Sequence, residues 1–129
     1  MKHLILFFLL FCVGCRQSKN KGIIAPNKGK YWDIKKDRDI SYRKPAYCFY
    51  FSSDGDCFFY YYRIDKDTVM RKLFNYGDVI YPNTWKLKSD TLEIQESDYL
   101  IKSINEESIT LVSTTLSKDT LILEASNYP

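Results

Sequence analysis

The stretch Ala46–Arg63, AYCFYFSSDGDCFFYYYR, decides the fold of this chain. Two runs rich in Tyr, Phe and Cys flank Asp54-Gly55, and both of these turn residues tolerate the positive φ angles that a two-residue type I′ turn requires. Short aromatic runs bounded by turn residues are typical of β-strands. The stretch therefore predicts a β-hairpin with strands over Ala46–Ser52 and Asp56–Arg63.

The predicted hairpin has two aromatic faces, because successive side chains alternate between the faces of a strand. With a two-residue turn, Cys57 lies opposite Ser52 and Cys48 lies opposite Tyr61. One face of the hairpin then carries Tyr47, Phe49, Phe51, Phe58, Tyr60 and Tyr62, and the other carries Cys48, Tyr50, Phe59 and Tyr61. One face must pack the core, so the second is left for a ligand, for a partner or for covering by the charged connection Lys36–Pro45.

Cys48 and Cys57 form a possible disulfide, because two cysteines in an exported, oxidising setting invite one. In the predicted register they share a face but lie about 13 Å apart along the strands, beyond the roughly 7 Å that a disulfide can bridge. A shifted register or a bulge would change that distance. The Cys48–Cys57 bond therefore stays open.

The rest of the chain continues as short β-type runs separated by Asp, Asn, Gly and Ser clusters, and no window favours a long amphipathic helix. In Trp85–Lys88 and Thr91–Gln95 the apolar residues fall at every second position, so one face of each strand is buried. Turns of two to five residues make sequential strands antiparallel neighbours. We expect an all-β fold: a short antiparallel up-and-down meander of about eight strands, closed or nearly closed into a barrel, since closure removes exposed edges.

The N-terminus has the layout of an export signal: Lys2 and His3, an apolar run over Leu4–Phe11, then Cys12-Val13-Gly14-Cys15. These last four residues resemble the lipobox of bacterial lipoproteins. The resemblance implies lipid attachment at Cys15 and removal of a signal peptide, residues 1–14. It places the protein in the cell envelope, anchored to a membrane through the Cys15 lipid, and the non-acidic Arg16 resembles the pattern of sorting to an outer membrane.

Residues 15–28 are rich in Lys, Asn, Gln, Ser and Gly, which predicts a flexible basic tether before a folded domain over residues 29–126. Basic residues concentrate beside the anchor: Arg16–Lys44 holds ten Lys or Arg against three Asp. This arrangement suits a segment near anionic headgroups, although a linker kept soluble by its charge explains it equally well. The net charge of +3 gives no indication of nucleic-acid binding.

Enzyme chemistry is not expected, because the single histidine, His3, lies in the predicted signal peptide. The mature chain then has no imidazole for a Ser-His-Asp or Cys-His mechanism or for a zinc site. Asp54 and Asp56 lie at a predicted turn tip and are expected to be solvated. We expect no catalytic residue, no metal and no cofactor.

Several segments resemble the lipocalin-like domains of small bacterial lipoproteins: Gly29-Lys30-Tyr31-Trp32, the run Trp85–Ile94, Tyr99-Leu100-Ile101 and Ile109-Thr110-Leu111. The resemblance implies a β-barrel cup that binds a small amphipathic or hydrophobic ligand. The ligand-binding residues are then expected to be Trp32, Phe49, Phe51, Phe58, Tyr60, Tyr62 and Trp85. The alternative is a protein-binding inhibitor or immunity-type protein, or a structural envelope lipoprotein, whose partner is another envelope protein.

Overall fold

The computed structural model describes residues 14–35, 46–65, 68–115 and 118–128. The predicted signal peptide, apart from Gly14, and the connection Lys36–Pro45 lie outside these ranges. Within the described part of the chain, no helix combines the length and the apolar character needed to cross a membrane.

In the residues that the structure describes, nine β-strands form one antiparallel sheet, one strand more than the eight expected. They are β1 (Gly29–Ile34), β2 (Ala46–Ser52), β3 (Cys57–Asp65), β4 (Thr68–Leu73), β5 (Trp85–Lys88), β6 (Thr91–Ile94), β7 (Ser97–Ile104), β8 (Ser108–Ser113) and β9 (Thr120–Ala125). The strand order is β4-β3-β2-β1-β9-β8-β7-β6-β5. The predicted antiparallel up-and-down meander is confirmed, since all strands that follow one another in the chain pair except β4 and β5.

The sheet is not closed, because β4 and β5 are its two edges. At one end, however, the start of β5 reaches the start of β3. The Cys57 amide donates to the Asn83 carbonyl at 3.0 Å and the Trp85 amide donates to the Gly55 carbonyl at 3.0 Å. The two ends of the sheet thus meet at one point, where the start of β5 contacts the start of β3, while the edge strands β4 and β5 do not pair with each other.

The core lies on the face that the alternating pattern predicts. The core residues are completely or almost completely buried, and they are Ile24, Ala25, Trp32, Phe49, Phe51, Cys57, Trp85, Leu92, Ile94, Ile109, Leu111 and Leu123. Most come from every second position of a strand, which is the period of a half-buried antiparallel sheet.

Residues 14–24 form a helix, which differs from the flexible tether predicted for residues 15–28. The reason is tertiary contact at its C-terminal end. Ile24 is completely buried in the core, and the Trp32 indole N–H donates to the Ile24 carbonyl at 2.8 Å. Ordered structure therefore begins before Gly29.

The β2–β3 turn is one residue longer than predicted. Ser52 pairs with Asp56 through a backbone hydrogen bond of 2.8 Å, which leaves a three-residue loop ending at Gly55, whose φ is 97°. Loops of this length commonly end in a residue of positive φ. Cys57 consequently pairs with Phe51 rather than with Ser52, and a one-residue shift of register moves every β3 side chain to the opposite face relative to β2.

Candidate functional site

Four of the seven predicted ligand-binding residues lie in the core. Trp32 and Phe51 are completely buried, and Phe49 and Trp85 are nearly so. Their rings pack against one another, with Phe51 and Trp85 centroids 5.7 Å apart in an edge-to-face arrangement. These side chains pack the core, and Trp85, which is 3% exposed, also adjoins an open cleft of about 540 Å³ that is lined by the helix residues Gln17 and Lys21 and by the start of β5.

The other three predicted residues, Phe58, Tyr60 and Tyr62, lie on the opposite face of the sheet because of the shifted register. The prediction that these seven residues line one surface is therefore wrong, because they lie on two faces of the sheet. On this second face Arg71 of β4 lies over the Tyr31 ring, with its guanidinium carbon 3.9 Å from the ring centroid. Phe58, Tyr60 and Tyr62 are all partly buried there.

Arg71 also ties the C-terminal segment to this face. Its guanidinium donates to the Tyr128 carbonyl at 2.8 Å and to the Ser126 hydroxyl at 3.3 Å. Burial raises the pKa of the nearby Asp33 carboxyl, and hydrogen bonds from Ser126 and Tyr62 and the charge of Arg71 partly offset this effect. Burial and the neighbouring Asp33 charge raise the pKa of Tyr62 to about 12. Through these contacts the cluster holds the C-terminal segment against the sheet, although Asp33 Oδ1 is buried without a hydrogen-bond partner among the described residues.

The possible Cys48–Cys57 disulfide is absent, and both residues are free, fully buried thiols. The shifted register places them on opposite faces of the hairpin, so a bond would have to pass through the sheet. Burial raises the pKa of Cys57 and raises that of Cys48 to about 11. Both thiols are therefore protonated and unreactive in the folded protein.

An open cleft of about 400 Å³ lies where the sheet fails to close, between the ends of β3 and β4 and the loop that leads to β5. We call it the aromatic cleft. It is lined by Phe59, Leu73, Phe74, Asn75, Tyr76, Gly77, Val79, Ile80, Tyr81 and Asn83. Its volume falls within the range typical of small-molecule sites, and apolar walls with a few polar groups are usual for them.

The rings of the aromatic cleft are packed in a fixed arrangement. Centroid separations are 5.2 Å for Phe59–Phe74, 5.0 Å for Phe74–Tyr76 and 4.6 Å for Tyr76–Tyr81. Phe59 in turn lies 5.0 Å from the core residue Phe49. The cleft is thus the surface end of a continuous aromatic cluster that begins in the core, which preorganises its floor.

The rim of the aromatic cleft is aliphatic and exposed. Ile80 is 94% exposed, and Leu73, Val79 and Tyr81 are each close to half exposed. Contiguous apolar side chains at the surface are characteristic of binding sites, whereas single ones are ordinary. The rim therefore supplies apolar area that association with another molecule would bury.

The aromatic cleft also contains polar groups, which could orient a bound ligand. The Tyr76 hydroxyl donates to Gln95 Oε1 at 3.1 Å, and burial raises the pKa of Tyr76, so its hydroxyl stays neutral. The Asn75 side chain accepts from the Gly77 amide at 2.8 Å, which fixes the turn beneath the rim. A ligand with an apolar body and a polar end would match this mixture of rings, hydroxyl and amide groups.

Sequence reasoning missed this site because residues 76–83 belong to the part of the chain that was predicted only as short β-type runs separated by turn clusters. The available signal was Val79-Ile80-Tyr81, three apolar residues in a row between Asp78 and Pro82. Such a run without alternation at a chain reversal has no sheet face to bury it, so it indicates a surface that is apolar in the free protein.

The predicted lipid-attachment residue, Cys15, is exposed near the start of the described helix. Among the described residues, no group of His, Cys, Asp and Glu is arranged to hold a metal ion. No protein-family model, no curated protein and no solved structure matches this chain.

Proposed function

We propose that this protein is a membrane-anchored envelope lipoprotein, not an enzyme, that binds a small amphipathic ligand in the aromatic cleft. The observation that carries the proposal is the cleft itself: about 400 Å³, walled by four packed rings and open to solvent beside the exposed Ile80. Cys15, exposed and preceded by a lipobox-like sequence, supports the anchor. Outer-membrane sorting follows from the same resemblance.

In this proposal the domain is lipocalin-like, but the ligand binds at the side of the barrel rather than in its interior. The backbone hydrogen bonds from Cys57 to Asn83 and from Trp85 to Gly55 support a nearly closed barrel. Because Trp32 and Phe51 occupy the interior, the ligand is placed in the gap between β4 and β5. The aromatic cluster that extends from the core to Tyr81 forms the floor of the aromatic cleft.

Dye binding tests the cleft directly. The fluorescent probe 1-anilinonaphthalene-8-sulfonate is titrated into the wild type and into the double variant Leu73→Ser/Ile80→Ser, and is then displaced with palmitate or lysophosphatidylcholine. Burying an aliphatic side chain contributes about 1.5–3 kcal/mol, so losing two of them should weaken dye binding at least about tenfold. Both positions are at least half exposed, so the fold should survive.

The matched control is Leu100→Ser on β7, which removes another exposed aliphatic side chain at a distance from the cleft. It should bind the dye like the wild type. Equal weakening in the control and the double variant, or no weakening in either, would contradict the placement of the ligand in the cleft.

A second candidate function is the binding of an envelope protein, as expected of an inhibitor or immunity-type protein. The observation that favours it is the rim, where Ile80 is 94% exposed beside the exposed Val79 and Tyr81, because contiguous apolar side chains at a surface mark sites of protein interaction. In this case the wild type and Leu100→Ser capture one specific protein from solubilised envelopes and Leu73→Ser/Ile80→Ser does not, while amphiphiles fail to displace the dye.

A further inference from the structure

The helix over residues 14–24 is fixed to the sheet at its C-terminal end. Ile24 is completely buried and Ala25 is nearly so. The Trp32 indole donates to the Ile24 carbonyl at 2.8 Å inside the core. Because a core tryptophan holds this end of the helix, the helix cannot swing about a flexible joint there.

The other end of the helix is fixed to β5. The Gln17 side-chain amide donates to the Leu87 carbonyl at 2.8 Å. Next to this contact, Arg16, Gln17 and Asn20 share a small surface cavity with Ser89 and Asp90 of the β5–β6 turn. Cys15 therefore lies beside the β5–β6 turn, and the helix runs along the edge strand from that turn toward Trp32.

The helix and the segment that follows it carry one sign of charge. Residues 14–32 contain Arg16, Lys19, Lys21, Lys28 and Lys30 and no acidic residue. The first four of these side chains are exposed. Asp90 shares a cavity with Arg16, and Asp54 and Asp56 share a cleft with Lys21, so these acidic neighbours lie in the β5–β6 turn and the β2–β3 loop while the helix itself carries only positive charge. A basic residue beside an anionic membrane contributes about 1 kcal/mol.

We propose that the helix over residues 14–24 is a rigid mount that holds the β5–β6 end of the sheet against an anionic membrane and keeps the aromatic cleft away from the bilayer. This inference rests on the proposed lipid anchor at Cys15. A lipid on Cys15 brings the β5–β6 turn to the headgroups, and the exposed Arg16, Lys19 and Lys21 meet their phosphates.

The distance to the aromatic cleft follows from strand geometry. Asn83, which lines the cleft, is five residues from Lys88 at the other end of β5. At about 3.3 Å per residue this separation is about 17 Å. With the β5–β6 turn held at the headgroups and β5 directed away from them, as the mount requires, the cleft opens to the aqueous compartment, and its ligand arrives from that side rather than by lateral entry from the bilayer.

Spin labels test the mount in the lipidated full-length protein. The protein is purified from membranes and placed in phosphatidylglycerol vesicles that contain a nickel-chelating lipid, with a nitroxide attached at Ser89→Cys or at Ile80→Cys. Cys48 and Cys57 are completely buried and will not react in the folded protein. The nickel lipid should relax the Ser89 label at least about threefold faster than the Ile80 label, given the separation along β5.

Equal relaxation at the two positions would overturn the mount. A third protein carries a long Gly-Ser insertion directly after Cys15, which leaves the helix contacts intact but separates them from the lipid. The insertion should abolish the difference between the labels, and a difference that survives it would also overturn the mount.

Different results distinguish failure of the mount from failure of the proposed function. Absence of a palmitate-analogue label on Cys15 would remove the anchor and the mount together. A labelled protein with equal relaxation would refute only the mount. Dye binding in detergent reports on the aromatic cleft whichever way the domain is oriented.

Discussion

Replacing Gly29 by Ala tests how β1 is seated against β2. Gly29 begins β1 with φ of 141°, a conformation that side chains with a Cβ rarely adopt. A methyl group there would lie 2.6 Å from Tyr50 Cζ and 2.7 Å from the Phe51 carbonyl oxygen. The Tyr50 ring is held by a hydrogen bond to the Lys28 carbonyl, and the Phe51 carbonyl belongs to the strand that pairs with β1.

The expected cost of Gly29→Ala is at least about 2 kcal/mol, because the strained φ alone costs about 1–3 kcal/mol and two close contacts must also be relieved. The matched control is Gly55→Ala. Gly55 also has a positive φ, of 97°, but the nearest atom to an added methyl is 3.8 Å away. Its cost should be the same backbone term of about 1–3 kcal/mol, without the additional cost of relieving close contacts.

Urea unfolding followed by tryptophan fluorescence measures both variants against the wild type, since Trp32 and Trp85 are buried and report on the core. The loss of unfolding free energy should be clearly larger for Gly29→Ala. If the two variants lose the same free energy, or if Gly29→Ala loses less, then the close approach of β1 to β2 at this point is wrong.

Three further predictions concern buried groups. Trp32→Phe leaves the buried Ile24 carbonyl without its donor, which should cost about 1–3 kcal/mol in addition to the lost packing and should accelerate amide hydrogen exchange in the helix; unchanged exchange would contradict the contact. Burial raises the pKa of Asp33, so the folded state favours the neutral acid, and the wild type loses stability as the pH rises from the unfolded pKa of about 4 to the higher folded pKa. The urea midpoint of Asp33→Asn should therefore rise relative to that of the wild type between pH 3 and pH 7. A difference in midpoint that does not change with pH would refute this. Cys48 and Cys57 should react with a maleimide only in urea, whether or not a reductant is present, because both thiols are buried and free. A protein mass lower by two hydrogens would indicate a disulfide and would contradict the register of β2 and β3.

The meander could be predicted from the sequence because burial on one face of an antiparallel sheet imposes a period of two on the residues themselves. Trp85–Lys88 and Thr91–Ile94 keep this period, and their apolar members are in the core. Strand existence follows from such local information.

The register of the β2–β3 hairpin could not be predicted with the same security. Asp54-Gly55 is compatible with a two-residue turn and with a three-residue loop that ends in glycine, and the two differ by one residue. Since both faces of the hairpin are aromatic, the hydrophobic pattern does not select between them. The predicted two-residue turn therefore placed Phe58, Tyr60 and Tyr62 on the wrong face of the sheet and placed Cys48 and Cys57 on the same face.

The helix and the aromatic cleft depend on contacts between distant segments, which local patterns do not encode. Residues 14–24 have a polar composition, and only Ile23 and Ile24 at the end indicate burial. The aromatic cleft lies where β4 and β5 do not pair, and Phe59 and Tyr81, which are distant in sequence, both line it. Neither feature has a repeat period that could have revealed it.

Native mass spectrometry of the protein purified from its own membrane tests the central claim most directly. The wild type and Leu100→Ser should each carry Cys15-linked lipid and retain a small amphiphile, whereas Leu73→Ser/Ile80→Ser should keep the lipid and lose the amphiphile. A wild type without a bound small molecule, or a double variant that retains it, would contradict ligand binding in the aromatic cleft.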